Sequence, residues 1–220
     1  GARICEEAGA HGITVHLRED RRHIQDSDVF GLKGVVRGKL NLEMALSDDI
    51  MAVAKKVVPT QITLVPEKRQ ELTTEGGLDV ASDQNRLTDY ITPLREAGCR
   101  VSMFISHDPR QIEASARIGA AVVELHTGLY SDLLADGHAS LAERELAALQ
   151  AGAELAASLG LEVHAGHGLT YDNVEPIAAI PELAELNIGH FLVGEAIFRG
   201  LETASEEMRR RMDLARGTPA

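Results

Sequence analysis

A histidine and an arginine, His16 and Arg18, stand two residues apart at the end of the apolar run 12–17. Successive residues of a β-strand face opposite sides, so this spacing predicts that both side chains share one face of a strand. A titratable imidazole beside a guanidinium could form a site for proton transfer next to an anion. The same residues also suit a strand end that enters solvent, with His16 a hydrogen-bonded core histidine and Arg18 a surface ion-pair partner.

Six further apolar runs end in the same way, with polar or titratable side chains directly at their carboxyl ends. In parallel barrels the catalytic groups lie at the carboxyl ends of several different strands, whereas the opposite rim is structural. Convergence of seven such ends on one rim therefore favours a functional site over simple solvation. The groups are His16 and Arg18, Asn41 and Glu43, Glu67 to Arg69, His107, Glu124 and His126, His164 and His167, and Asn187 and His190.

Helix-like segments separate these runs, which predicts parallel strands joined by helical crossovers. No linker or composition break divides the chain, so we expect a single α/β domain over residues 1–220, a TIM-type (β/α)8 barrel. The predicted strands are 12–17, 39–44, 61–65, 100–105, 121–126, 161–165 and 186–193. The predicted helices are 27–36, 47–58, 84–97, 108–118, 140–159, 171–180 and 195–215.

Seven strands are one fewer than the eight that such a barrel builds from about 250 residues. Residues 2–9 have the apolar spacing and terminal glycine of the last turns of a helix. We therefore expect that the first strand of the barrel and most of its first helix are absent from this chain.

A glycine-containing loop connects the strand to the helix in each of the last two strand-helix units. Gly166 and Gly168 precede the helix predicted to start at Tyr171, and Gly189 and Gly194 precede the helix predicted to start at Glu195. Glycines let backbone N–H groups approach an anion, and a helix N-terminus adds a favourable dipole. These loops predict a phosphate site, although tight turns alone would also use glycine.

Composition limits the partners and the compartment. The 220-residue chain has a net charge of −12, which argues against nucleic acid and anionic membrane surfaces as partners. Its two cysteines, Cys5 and Cys99, suit a reducing compartment. No apolar run approaches membrane-spanning length and no signal-peptide pattern opens the chain. We expect a cytoplasmic protein.

Long gapless strings in the sequence resemble the pyridoxine 5'-phosphate synthase family of vitamin B6 biosynthesis. They are TVHLREDRRHI, NLEMA, LVPEKRQELTTEGGLDV, VELHTG, AGHGLTYDNV and ELNIGH, and the resemblance covers about residues 4–217. The resemblance implies a barrel enzyme that joins 1-deoxy-D-xylulose 5-phosphate to 3-amino-2-oxopropyl phosphate, releasing phosphate and water. It also implies no metal or organic cofactor, small phosphorylated substrates as partners, and a homo-oligomer, which is an octamer in the family.

The resemblance assigns roles to ten residues of this chain. It implies that His16 and Glu43 accept protons, that His167 donates one, and that Glu124 stabilises charge in the transition state. The residues expected to hold deoxyxylulose phosphate are Arg18, His23 and Thr73, and those expected to hold the aminoketone phosphate are Gly168, Gly189 and His190.

Two other functions are compatible with a barrel of this composition. A metal-dependent hydrolase could use the rim histidines, but the sequence contains neither His-x-His nor His-Glu-x-x-His spacing. The non-enzymatic alternative is a phosphate-binding barrel remnant that has lost its first strand and, with it, catalysis.

Overall fold

Seven parallel strands form one sheet in the computed structural model, which describes residues 1–67 and 76–217. Each strand pairs with the next one along the chain, in the order β1 to β7. This order confirms the predicted (β/α) barrel architecture. The strands are β1 Gly12–His16, β2 Lys39–Met44, β3 Gln61–Leu64, β4 Arg100–Ile105, β5 Val122–His126, β6 Glu162–Gly166 and β7 Leu183–Asn187.

Helices connect the strands and pack on the outer face of the sheet. In α3, Ile50, Val53, Ala54 and Val57 are buried, the i, i+3, i+4, i+7 spacing of a helix with one apolar face. The ten helices of the described residues are α1 Ala2–Glu7, α2 Asp26–Val35, α3 Asp48–Val57, α4 Gln84–Glu96, α5 Pro109–Arg117, α6 Gly128–Ala135, α7 Ala139–Ser158, α8 Val174–Ala178, α9 His190–Arg199 and α10 Leu201–Ala215.

The main apolar core lies between the sheet and this helical layer. Leu42, Leu64 and Met103 point outward from neighbouring strands and are fully buried. Because alternate strand residues face opposite sides, the polar residues between them face the inside of the curled sheet. The sequence alternation therefore separates an apolar outer core from a polar interior.

Hydrogen bonds between side chains cross the polar interior. Thr63 Oγ1 donates to Asn41 Oδ1 at 3.0 Å, and Asn41 Nδ2 lies 3.3 Å from Thr14 Oγ1. Thr14 Oγ1 lies 2.8 Å from Asn187 Oδ1, which brings side chains of β1 and β7 into direct contact. The sheet is therefore curled far enough for its first and last strands to meet through side chains, although no backbone pairing joins them among the described residues.

Charged side chains fill the amino-terminal end of the interior. Arg100 forms a two-pronged contact with Glu162, with N···O distances of 3.1 and 2.9 Å. His164 Nε2 lies 2.8 Å from the same carboxylate, and Lys39 pairs with Glu185 across β2 and β7. These pairs satisfy charges that would otherwise be costly inside a protein.

The last strand and the last helix differ from their predicted bounds. Residues 186–193 were expected to form one strand, but β7 ends at Asn187 and α9 begins at His190. A short apolar run does not distinguish a strand from a buried helical face, because both can be continuous in hydrophobicity. Gly200, with φ 80°, separates α9 from α10 where a single helix was expected.

Within residues 1–67 and 76–217, none of the helices combines the length and the apolar character needed to cross a membrane.

Candidate active site

Titratable side chains from β1, β2 and the end of β3 meet at the carboxyl rim of the sheet. His16 Nδ1 lies 3.9 Å from Glu43 Oε2, and His16 Nε2 lies 3.4 Å from Glu67 Oε2. Cα pairing places His16 directly opposite Glu43 in the parallel ladder. The register of two strands therefore brings these two groups together, and the site begins as a histidine between two carboxylates.

The carboxyl group of Glu43 has a pKa close to neutral pH. Its side chain is 22% exposed, and burial raises its pKa from 4.5 to about 7. Removal from water disfavours the charged form of an acid, which is the physical cause of the shift. A carboxyl group with this pKa can both take up and release a proton near neutral pH.

His16 has the opposite shift. Burial, followed by the charges of Arg18 and His23, lowers its pKa to about 4. The imidazole is therefore neutral near pH 7 and has a free nitrogen lone pair. A neutral imidazole beside a carboxyl group of pKa about 7 makes a pair that can move a proton.

Glu124, on β5, is a second buried carboxyl group of the site. Burial raises its pKa well above its ordinary value, and the charge of Glu43 raises it further. Asn187 Nδ2 donates a 2.8 Å hydrogen bond to Glu124 Oε2. Gly166 on β6 leaves room for this carboxylate, because a Cβ there would lie 2.5 Å from Glu124 Oε1.

His167 lies just beyond β6 in a strained backbone conformation. Its φ is 87°, which is uncommon for a residue with a Cβ and occurs most often at functional sites. Its ring stacks on that of His126 with centroids 4.8 Å apart, and Thr127 Oγ1 lies 2.6 Å from its carbonyl oxygen. Burial and His167 lower the pKa of His126 to about 4.

The predicted phosphate loops lie side by side at the same rim. Gly168 has φ 77°, and its carbonyl accepts a 3.1 Å hydrogen bond from Asn173 Nδ2. The second loop places Gly189 as the N-cap of α9, with His190 as the first helical residue. Tyr171 and Phe191 join the two loops through an edge-to-face contact at 4.6 Å.

The structure describes two of the three residues that were expected to hold deoxyxylulose phosphate. The Arg18 side chain is 5% exposed and its Nε lies 3.5 Å from Glu67 Oε1. His23 is exposed in the loop after β1. Thr73 lies outside the described residues.

The structure adds Asn187, His126 and Glu67 to the residues to which the family resemblance gave roles. All three belong to strand ends, so the strand-end pattern contains them, but it does not reveal their contacts. Among the described residues, no three His, Cys, Asp or Glu side chains are arranged to hold a metal ion.

Comparison with known proteins gives one family. The sequence model described as "Pyridoxal phosphate biosynthesis protein PdxJ" matches residues 1–214. The chain is 64% identical to pyridoxine 5'-phosphate synthase of Cereibacter sphaeroides over 217 residues, which cover 99% of this chain and 86% of that protein. It is 60% identical to the enzyme of the same name from Ruegeria pomeroyi, with 98% and 87% of the two chains covered.

Solved structures resemble the fold at much lower identity. Phosphoribosyl anthranilate isomerase from Thermus thermophilus has a TM-score of 0.63 at 13% identity, with 98% of this chain and 94% of that chain covered. The BexX/CysO complex of Amycolatopsis orientalis gives a TM-score of 0.65 at 14% identity, with 97% and 82% covered. At such identities the likeness concerns the fold alone.

Proposed function

Because the chain belongs to the PdxJ family of pyridoxal phosphate biosynthesis proteins, we propose that it is a pyridoxine 5'-phosphate synthase. The proposed reaction joins 3-amino-2-oxopropyl phosphate to 1-deoxy-D-xylulose 5-phosphate and yields pyridoxine 5'-phosphate, phosphate and water. Imine formation, enolisation and dehydration each move protons, so this ring closure needs several acids and bases in one cavity.

The observation that carries the proposal is the pairing of His16 with Glu43. The imidazole is neutral because its pKa is lowered to about 4, whereas the pKa of Glu43 is raised to about 7. Near pH 7 a neutral imidazole and a partly ionised carboxyl group can each accept a proton. We assign proton acceptance to both residues.

The second half of the site complements this pair. We assign proton donation to His167 and stabilisation of transition-state charge to Glu124, which is fixed by Asn187. Arg18, His23 and Thr73 are proposed to hold the deoxyxylulose phosphate. Gly168, Gly189 and His190 are proposed to hold the aminoketone phosphate, since their backbone N–H groups stand at a loop and a helix N-terminus.

The test is synthesis by the purified protein, expressed from its whole reading frame. Both substrates are supplied, and pyridoxine 5'-phosphate is measured by chromatography together with released inorganic phosphate. We expect one phosphate released for each product molecule. Binding of both substrates without product formation would instead support a phosphate-binding protein without catalytic activity.

We also propose that the protein is a homo-oligomer, as the family resemblance implies. The face of α9 formed by Val193, Ile197 and Phe198 supports the proposal, because these apolar side chains are 65 to 84% exposed. Light scattering coupled to size exclusion would measure the mass, and a monomer at micromolar concentration would contradict the proposal.

A further inference from the structure

Glu67 is a buried carboxylate that the proposed reaction leaves without a role. It follows β3 by three residues, and its side chain is 2% exposed although it lies at the rim of the sheet. Its Oε1 accepts a 3.0 Å hydrogen bond from the Glu19 backbone N–H and lies 3.5 Å from Arg18 Nε. Its Oε2 lies 3.4 Å from His16 Nε2.

Each oxygen of this carboxylate therefore faces a different group at the end of β1. Since β2 lies between β1 and β3, the side chain of Glu67 reaches across the end of β2. One oxygen faces the imidazole assigned to proton transfer, and the other faces the guanidinium assigned to phosphate. A shift of Glu67 would consequently disturb both groups at once.

We propose that Glu67 is a positioning residue, which fixes the tautomer and orientation of His16 and the direction of Arg18. The proposal rests on the proposed function, in which His16 accepts a proton and Arg18 holds a phosphate. Carboxylates that accept the N–H of a catalytic histidine set which of its nitrogens carries the proton.

The two carboxylates beside His16 stand in different environments. At Glu67 the pKa is raised, chiefly by burial and further by the charges of Glu19 and Asp20, while the Glu19 N–H and the Arg18 guanidinium act in the opposite direction. At Glu43, burial raises the pKa to about 7 without such opposition. Glu67 is thus the carboxylate that faces an N–H and a guanidinium, and its Oε2 lies 3.4 Å from His16, against 3.9 Å for Glu43 Oε2.

This difference decides the tautomer. A neutral imidazole carries one N–H, and an ionised Glu67 draws it to Nε2, where the carboxylate can accept it. Nδ1 is then left with its lone pair, 3.9 Å from Glu43 Oε2. His16 can accept a proton from Glu43 or from substrate only on that nitrogen. At 3.4 Å, His16 Nε2 and Glu67 Oε2 are close but not aligned as a hydrogen bond in this structure, and catalytic hydrogen bonds commonly align and shorten when substrate binds.

Nitrogen NMR of the histidine side chains tests the proposal without requiring turnover. The protein is labelled with ¹⁵N on histidine, and the His16 signals are identified as those lost in His16→Asn. We expect the Nε2–H tautomer in the wild type and a mixture of both tautomers in Glu67→Gln, because an amide can also donate to Nε2. Glu143→Gln, on the exposed face of α7, is the matched control and should leave the His16 signals unchanged.

Kinetics supply the second readout. Glu67→Gln should lower kcat by about 10- to 100-fold through misplacement of His16, and should raise KM for deoxyxylulose phosphate through Arg18. Glu67→Asp keeps the charge with a shorter side chain, so it should recover part of both losses. If Glu67→Gln does not fold, Glu67→Asp must still shift the tautomer ratio.

An unchanged His16 tautomer in a folded Glu67 variant would overturn the proposal. Loss of activity together with an unchanged tautomer would also count against it. A wild-type protein without synthase activity would refute the proposed function, whereas the tautomer comparison would still decide whether Glu67 positions His16.

Discussion

Replacing Glu43 with glutamine should reduce activity and raise stability in the same variant. Glutamine has nearly the shape of a protonated glutamic acid, but its amide cannot accept a proton from substrate or from His16. Loss of a general base lowers turnover by about 10²- to 10⁴-fold. The fold and the binding of phosphorylated ligands should remain, because Glu43 lies on β2, whereas the two glycine loops follow β6 and β7.

The stability gain follows from the pKa of the buried carboxyl group. Burial raises the pKa of Glu43 from 4.5 to about 7, so folding favours its protonated form. Between pH 4.5 and about 7 the carboxyl group is ionised in the unfolded chain but still protonated in the folded protein. The free energy of unfolding of the wild type therefore falls as the pH rises through this range. At about 1.4 kcal/mol per pKa unit, the penalty reaches about 3 kcal/mol at pH 8 and is only about 1 kcal/mol at pH 5.

Glutamine removes this penalty because it has no proton to lose. Glu43→Gln should therefore be more stable than the wild type by up to about 3 kcal/mol at pH 8, with a much smaller difference at pH 5. It also removes a charge that raises the pKa of Glu124. Guanidinium unfolding at the two pH values measures the difference, and product formation from both substrates measures turnover.

Two results would refute the reasoning. Turnover close to that of the wild type would remove Glu43 from proton transfer. An equal change in stability at pH 5 and pH 8 would show that burial of an ionisable carboxyl group is not the cause. Glu143→Gln is the control, because Glu143 is exposed on α7 and its replacement should change neither quantity.

Three further substitutions test other parts of the site. Gly189→Val should fold normally, since φ is −126° and a Cβ would meet no atom within 4 Å. Calorimetry should show that the variant loses more affinity for the aminoketone phosphate than for deoxyxylulose phosphate. Equal losses for both ligands would contradict the assigned pocket. Gly166→Ala should lower the free energy of unfolding by about 1 to 3 kcal/mol, because its Cβ would lie 2.5 Å from Glu124 Oε1. An unchanged free energy of unfolding in denaturant would argue against this contact. His167→Gly should retain or raise the melting temperature, since glycine accepts φ 87°. Its turnover should fall by about 10²-fold, and unaltered turnover would exclude His167 as the proton donor.

Strand ends were predictable from the sequence because each apolar run changes abruptly into polar residues. Parallel pairing then places those ends on one rim, so the proximity of His16 and Glu43 follows from the pattern and the register together. The depth of each side chain does not follow from the pattern. His164 was expected at a strand end, but it lies inside β6, fully buried between Glu162 and Glu185.

Contacts made by helices were also beyond the sequence pattern. His107 belongs to the same set of strand-end residues, yet its Nε2 lies 2.9 Å from Glu145 Oε1 on α7. That contact depends on how α7 packs, which no local spacing encodes. The position of Glu67 beside Arg18 likewise depends on where the chain turns after β3. Residue type and spacing thus indicated the rim, whereas tertiary packing determines which rim residues touch.

The polar interior of the sheet gives Glu124 a fixed hydrogen-bond donor. Thr63 donates to Asn41, and the Asn41 amide faces Thr14 as a donor. Thr14 in turn donates to the Asn187 carbonyl oxygen, which leaves the Asn187 amide nitrogen directed at Glu124. Each donor in this series determines the orientation of the next group, so the Asn187 amide cannot turn over without breaking the bond to Thr14. Branched apolar side chains, the usual filling of such a barrel, could not hold a donor against a buried carboxylate in this way.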